Sequence, residues 1–253
     1  MAFRLIPEPD LTPEELQQHI FSTYINIRVG IAVIGIAFPF LLWLGGRLYA
    51  RLPLQPSMSA YYHAMGFDSR SMRDWFVGLL FVEGIFLYLY KGFGRAENWA
   101  LNIAGLLAVG VAIFPEAASP SWITLHGLCA VGLFLCIAFV ALFCADNTLD
   151  LIKDTDMRNP AKVIAHLKLA YKLIGWAMIA SMVVAYALNT VMKTEFRTFW
   201  VEAAGILFFG AYWLLKGLEL RKTAADLKAL RGLTRTSGGK LMSLTAHGPR
   251  HGP

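Results

Sequence analysis

Hydrophobic and polar positions in this chain fall into long blocks, not into the short alternations of strands or the one-sided stripes of soluble helices. Six apolar runs stand out, near residues 24–44, 75–90, 99–114, 122–145, 173–192 and 199–215. A helix needs roughly 17–25 such residues to cross a bilayer, so the second and third runs must borrow flanking positions. Trp75, Tyr88, Tyr90, Trp99, Trp122, Trp200, Tyr212 and Trp213 lie toward the run ends, where an aromatic belt meets the two interfaces. The pattern predicts an all-α, polytopic membrane bundle of about six transmembrane helices. It divides into an N-terminal interfacial helix (1–23), the transmembrane domain (24–220) and a basic, partly disordered tail (221–253).

Composition agrees. Of 253 residues 57% are hydrophobic and 16% charged, with a mean hydropathy of +0.52; soluble domains carry about 25% charged residues. Before the first run, Thr12-Pro13-Glu14-Glu15 has the form of a capping box with proline at the first helical position. The opening residues lack the form of a cleaved signal, so the first run is expected to stay as an anchor. The net charge of +6 comes from basic residues in loops and tail, with no nucleic-acid motif among them. On one side of the predicted membrane lie fifteen Lys and Arg, counting Lys216 and the tail; on the other lie six. The positive-inside rule then places both termini in the cytoplasm, with a bacterial inner membrane as the expected location.

Some polar residues sit where they are expensive. Glu83 lies near the middle of the second run. An acid there costs about 2.5–3.5 kcal/mol of insertion, against roughly 3–6 kcal/mol returned by the apolar residues around it, so it should face the bundle. Glu202 lies a turn into the sixth run and His126 a turn into the fourth, both in the predicted outward half. On the same side runs the stretch SMSAYYHAMGFDSRSMRDWFVG, residues 57–78. Its Ser57, Ser59, Tyr61, Tyr62, His63, Arg73 and Asp74 are candidate ligands for a lipid headgroup. Acids and imidazoles at one depth suit a metal, a proton relay or a headgroup, and the plainer reading is a set of interhelical hydrogen bonds. Arg73 and Asp74 are readable simply as an ion pair at a helix start. Cys129, Cys136 and Cys144 have neither zinc nor disulfide spacing and read as small buried hydrophobes. Gly78, Gly84, Gly105, Gly110, Gly205 and Gly210 are expected to let helices approach closely.

Several short motifs together resemble the Frag/DRAM/Sfk superfamily of six-helix membrane proteins. They are Ser57-x-Ser59 after the first run, and Asn98, Asn102 and Ala104-Gly105-Leu106-Leu107 in the third. His126-Gly127 opens the fourth, and WVEAAGILFFGAYWL follows from Trp200 in the sixth. The likeness spans roughly residues 25–220. His126 and Glu202 fall where that family carries a histidine and a glutamate; Tyr61-Tyr62-His63 departs from its short S-D-x-G-like turn. The resemblance implies work on membrane lipids rather than solute transport. The expected function is therefore an integral membrane protein with an outward-facing polar pocket that binds lipids or regulates their organisation. The alternative is an intramembrane lipid hydrolase or acyltransferase with His126 as base, oriented by Glu202 or Glu83. Both readings expect His126 and Glu202 to be neighbours, in contact directly or through water or a metal. A transporter ranks below both, since no pair of short, broken spans recurs in the two halves. The H-x-x-x-H pattern of ceramidase-type hydrolases and the G-x-S-x-G of soluble ones are absent. Membrane lipids are the expected partners, nucleic acid is not, a homo-oligomer is compatible with the pattern, and no cofactor or metal is named by it.

Overall fold

A computed structural model describes residues 12–116, 124–154, 159–190 and 198–223. Six α-helices carry it: α1 (Pro13–Leu48), α2 (Arg73–Leu89), α3 (Arg95–Ile113), α4 (Leu125–Phe139), α5 (Pro160–Thr190) and α6 (Phe199–Thr223). No strand occurs among the described residues. Each helix packs on its chain neighbours and α6 closes on α1, so the six form a ring. Five of the helical segments are long and apolar enough to cross a membrane. The exception is α2, whose 17 residues reach only about 25 Å at 1.5 Å per residue.

Helix ends follow local chemistry more than hydropathy. The capping box forms as expected: Thr12 Oγ1 accepts the Glu15 N–H and Glu15 returns to the Thr12 N–H. No break separates this turn from the first span, so α1 runs unbroken for 36 residues and the interfacial helix is its first turns. The helix α5 begins at Pro160, well before the predicted run, because its first turns are helix-forming but too polar to register as a span. After α4 the winding loosens to a π-helix (Val140–Cys144) and then tightens to a 3-10 segment (Ala145–Asp154). The helix α6 continues past residue 215 to Thr223 and takes in the first three residues of the predicted tail; the rest of it, residues 224–253, lies outside the described residues.

Two glycines set the α2–α3 distance. A methyl group on Gly84 would lie 2.7 Å from the Gly105 carbonyl oxygen, and one on Gly105 would lie 2.5 Å from that of Gly84. Gly210 meets α1 in the same way, but Gly78 faces open space, against expectation. The aromatic belt also divides. Trp75, Tyr88, Trp99 and Trp200 are exposed, whereas Tyr90, Tyr212 and Trp213 are buried at 0–1% exposure and belong to the core.

Candidate functional site

The stretch after α1 is fastened to the other two loops at its end of the bundle. The Pro56 carbonyl accepts the Phe199 N–H at 3.0 Å and the Thr198 hydroxyl at 3.3 Å. Ser57 Oγ accepts the Ala60 N–H at 3.0 Å and donates to Glu116 Oε2 at 3.4 Å. His63 Nε2 donates to the Glu116 carbonyl at 2.9 Å. Tyr61 and Tyr62 turn inward and are buried, Tyr61 against Phe199 and Tyr62 edge-on to Phe76. They are core residues, not belt or headgroup ligands. Gly66 holds the far side of the loop, where a Cβ would collide with the Ala50 carbonyl at 1.8 Å.

This fastening delivers Met58 and Ser59 to the mouth of a cavity of about 270 Å³ in the middle of the ring. Its wall is mostly apolar, with Phe38, Phe76, Leu80, Ile137 and Phe209 among the lining residues. Ser59, Glu83, His126, Ser181 and Glu202 bring polar side chains to it, with Tyr186 at its edge. Val131 of α4 and Tyr186 of α5 also line it and are 42% and 58% exposed. The cavity therefore reaches the outer surface of the bundle between α4 and α5.

The polar groups are arranged unequally. His126 is buried, stacked on Phe76, with Nδ1 2.9 Å from the Phe114 carbonyl and Nε2 2.9 Å from Ser59 Oγ. A carbonyl only accepts, so Nδ1 carries the proton; in the neutral ring Nε2 is then the acceptor for the Ser59 hydroxyl. Glu202 is held by the Met58 N–H at 2.7 Å and the Thr198 hydroxyl at 3.0 Å. Glu83 is 7% exposed and neither carboxyl oxygen has a hydrogen-bond partner among the described residues.

These contacts correct the expected orienting partner of His126. His126 and Glu202 share the cavity but do not bond to each other, and neither Glu202 nor Glu83 orients the imidazole. The Phe114 carbonyl does so, because α3 ends at Ile113 and leaves its final carbonyls without helical partners. Glu202 acts one residue away from Ser59 by fixing Met58. Of the predicted headgroup residues only Ser59 lines the cavity. Ser57 is a loop fastener, while His63, Arg73 and Asp74 are exposed at the rim. The charge of Arg73 rests over the Tyr62 ring at 4.6 Å, with no ion pair to Asp74. Among the described residues, no group of three or more His, Cys, Asp or Glu side chains is placed to hold a metal.

A second polar region, at the opposite end of the ring, is absent from the sequence reading. Lys216, assigned there to the exposed basic side, is 1% exposed. Its Nζ donates to the Ala145 carbonyl at 2.8 Å and to Thr148 Oγ1 at 2.6 Å, and lies 3.1 Å from Glu219 Oε2. Thr148 and Tyr171 both donate to the Glu219 carboxylate. Arg28 is buried nearby, its guanidinium over the Tyr90 ring and its Nε 3.3 Å from the Tyr90 hydroxyl. The signal was Leu218 and Leu220, which carry the apolar pattern of the sixth run past Lys216.

Fold and site thus define a helical membrane protein with a polar-headed, apolar-walled cavity. No protein-family model matches the chain, and no curated protein or solved structure matches it significantly. The likeness to the Frag/DRAM/Sfk superfamily rests on the sequence motifs alone.

Proposed function

We propose that this is a six-span membrane protein that takes the acyl chain of a membrane lipid into the cavity, with the lipid's polar end at Ser59, His126 and Glu202. The observation that carries this reading is the cavity's make-up: mostly apolar walls, Ser59, His126 and Glu202 gathered at the fastened-loop end, and an edge open between α4 and α5. An amphiphile entering from the bilayer would meet these in the right order, chain along the wall and head at the loops. The volume of about 270 Å³ lies just below the roughly 300–1,000 Å³ of small-molecule sites, which suits one chain rather than a whole two-chain lipid. The motif likeness to a superfamily concerned with membrane lipids points the same way.

In this proposal α2 is the sixth span, its short length completed by flanking residues, and both termini are cytoplasmic. Burial of Lys216 removes one residue from the basic side, and fourteen against six still orient the chain. The cavity then opens in the outward leaflet. The reading is tested by native mass spectrometry of protein extracted with its surrounding bilayer. Wild type should retain a lipid, and Ala130→Phe, which fills the cavity from α4, should lose it while keeping its melting temperature. An unchanged lipid complement in a folded Ala130→Phe protein would sink the proposal.

A further inference from the structure

Ser59, His126 and the Phe114 carbonyl stand in line, each step 2.9 Å. This is the order of a nucleophile, its base and the group that fixes the base, and such constellations are recognised by geometry and roles, not by sequence position. The carbonyl holds Nδ1 as the protonated nitrogen, which leaves the Nε2 lone pair directed at the serine hydroxyl. Most hydroxyls in apolar surroundings satisfy themselves on a nearby backbone carbonyl. Ser59 instead gives its proton to the most basic neutral side chain available. Its oxygen remains at the cavity wall, and Glu202 braces the chain beside it through the Met58 N–H.

We propose that Ser59 is an acyl-accepting nucleophile activated by His126, and that the protein hydrolyses a long-chain carboxylic ester or thioester. The inference rests on the acyl-chain reading of the cavity for its substrate class. Ser59 Oγ attacks the acyl carbonyl carbon while His126 Nε2 takes the hydroxyl proton. The carbon–oxygen or carbon–sulfur bond to the leaving group breaks, and His126 passes that proton to the departing alcohol or thiol. Water then attacks the acyl-serine, giving one proton to His126, which returns it to Ser59 as the ester bond breaks. The fatty acid leaves and the serine is restored. Nothing is oxidised or reduced, and water is the only co-reactant. Phe114 supplies a neutral carbonyl where many such enzymes use a carboxylate. It fixes the tautomer without stabilising an imidazolium by charge, so a slow enzyme is expected. Glu202 is a positioning residue, acting through Met58.

The experiment is covalent labelling of the full chain in nanodiscs with a hexadecyl fluorophosphonate, with the modified peptide located by mass spectrometry. Wild type should carry one adduct on Ser59. Ser59→Ala should carry none, and His126→Gln should react about 100-fold more slowly, the lower end of what a general base contributes. Locating the adduct in wild type keeps the test independent of how the variants fold. An unlabelled wild type that still retains its lipid would overturn the nucleophile and leave the binding reading standing. Labelling at Ser59 without any retained lipid would support the nucleophile and remove the acyl-chain reading. Labelling elsewhere, undiminished in Ser59→Ala, would overturn the assignment.

Discussion

At the Lys216 end of the ring a lysine and a glutamate are sealed from solvent, and the ammonium and both carboxylate oxygens have partners. Midway along α2 a glutamate is nearly as buried, yet neither oxygen of Glu83 has a partner among the described residues, and a cavity lies against it. Burial alone therefore does not separate structural from functional polar groups in this molecule. Satisfaction does. A fully partnered network has two charges whose cost is already offset, and nothing remains to recognise a ligand. An unpartnered acid on a cavity wall retains its full capacity to bond, which fits a site that is completed by what enters it.

The contrast is broken most forcefully at Glu219. Glu219→Ala should leave Lys216 charged, buried and short of its counter-ion, at a cost of about 3–5 kcal/mol. The expected readout is loss of folded protein on extraction, or a large fall in melting temperature. Lys216→Met combined with Glu219→Leu removes both charges together and should recover much of that loss. A double variant as unstable as Glu219→Ala would mean that the network does more than offset its own charges.

Glu202→Ala comes next. It strips the acceptor from the Met58 N–H, an orphaned donor worth about 1–3 kcal/mol, and frees the segment that presents Ser59. Glu202→Gln should be nearly neutral, because its amide oxygen still accepts the Met58 N–H and its NH2 can donate to a rotated Thr198 hydroxyl. Thermal melts of the two variants side by side check this. Equal losses would show that charge at Glu202, not the hydrogen bond, holds the loop.

How much of this was legible in sequence follows from the same physics. Glu83 and His126 stood out because an ionisable residue in an apolar run is costly wherever the chain folds. Six helices could be counted for the same reason, although their ends could not, since polar first turns such as those of α5 carry no hydropathy signal. The partners were hidden. His126 meets a backbone carbonyl and a serine from a different loop, and Glu202 meets a backbone N–H; main-chain groups leave no trace in residue identity. Lys216 misled because a lysine near the end of an apolar run resembles an interface residue. Its burial is tolerable because Glu219 and Thr148 meet its ammonium together with the Ala145 carbonyl, which the winding change after α4 presents.

Glu83 supplies the opposite sign. Since it has no hydrogen-bond partner to lose, Glu83→Leu should stabilise the bundle by about 0.5–2 kcal/mol, the gain from no longer burying an uncompensated polar group. The same variant should retain less lipid, the exchange of stability for function expected of an unsatisfied site. Melting temperature and native mass spectra on one preparation measure both. A destabilised Glu83→Leu protein with unchanged lipid would make Glu83 a structural residue like Glu219.

The smallest effect belongs to Arg73, at the rim between the bulk solvent and the cavity. Its guanidinium stacks over the Tyr62 ring at 4.6 Å and makes no ion pair with Asp74. Exposed contacts of this kind contribute about 0.5–1 kcal/mol, and the sum of the Arg73 interactions is of that order. Arg73→Ala should therefore lower stability slightly, and Asp74→Ala should leave it unchanged, where an ion pair would make the two losses equal. The charge still matters if the substrate is an anionic lipid, because a cation at the rim attracts the headgroup before the chain enters. Arg73→Ala would then slow fluorophosphonate labelling little, since that probe is uncharged, but would slow hydrolysis of an anionic ester more than that of a neutral one. Such a difference should shrink as salt is raised from about 0.01 M to 1 M, as the screening length falls from about 30 Å to 3 Å. Equal rates on both esters at all salt concentrations would reduce Arg73 to a packing residue over Tyr62 and leave selection of the substrate to the cavity.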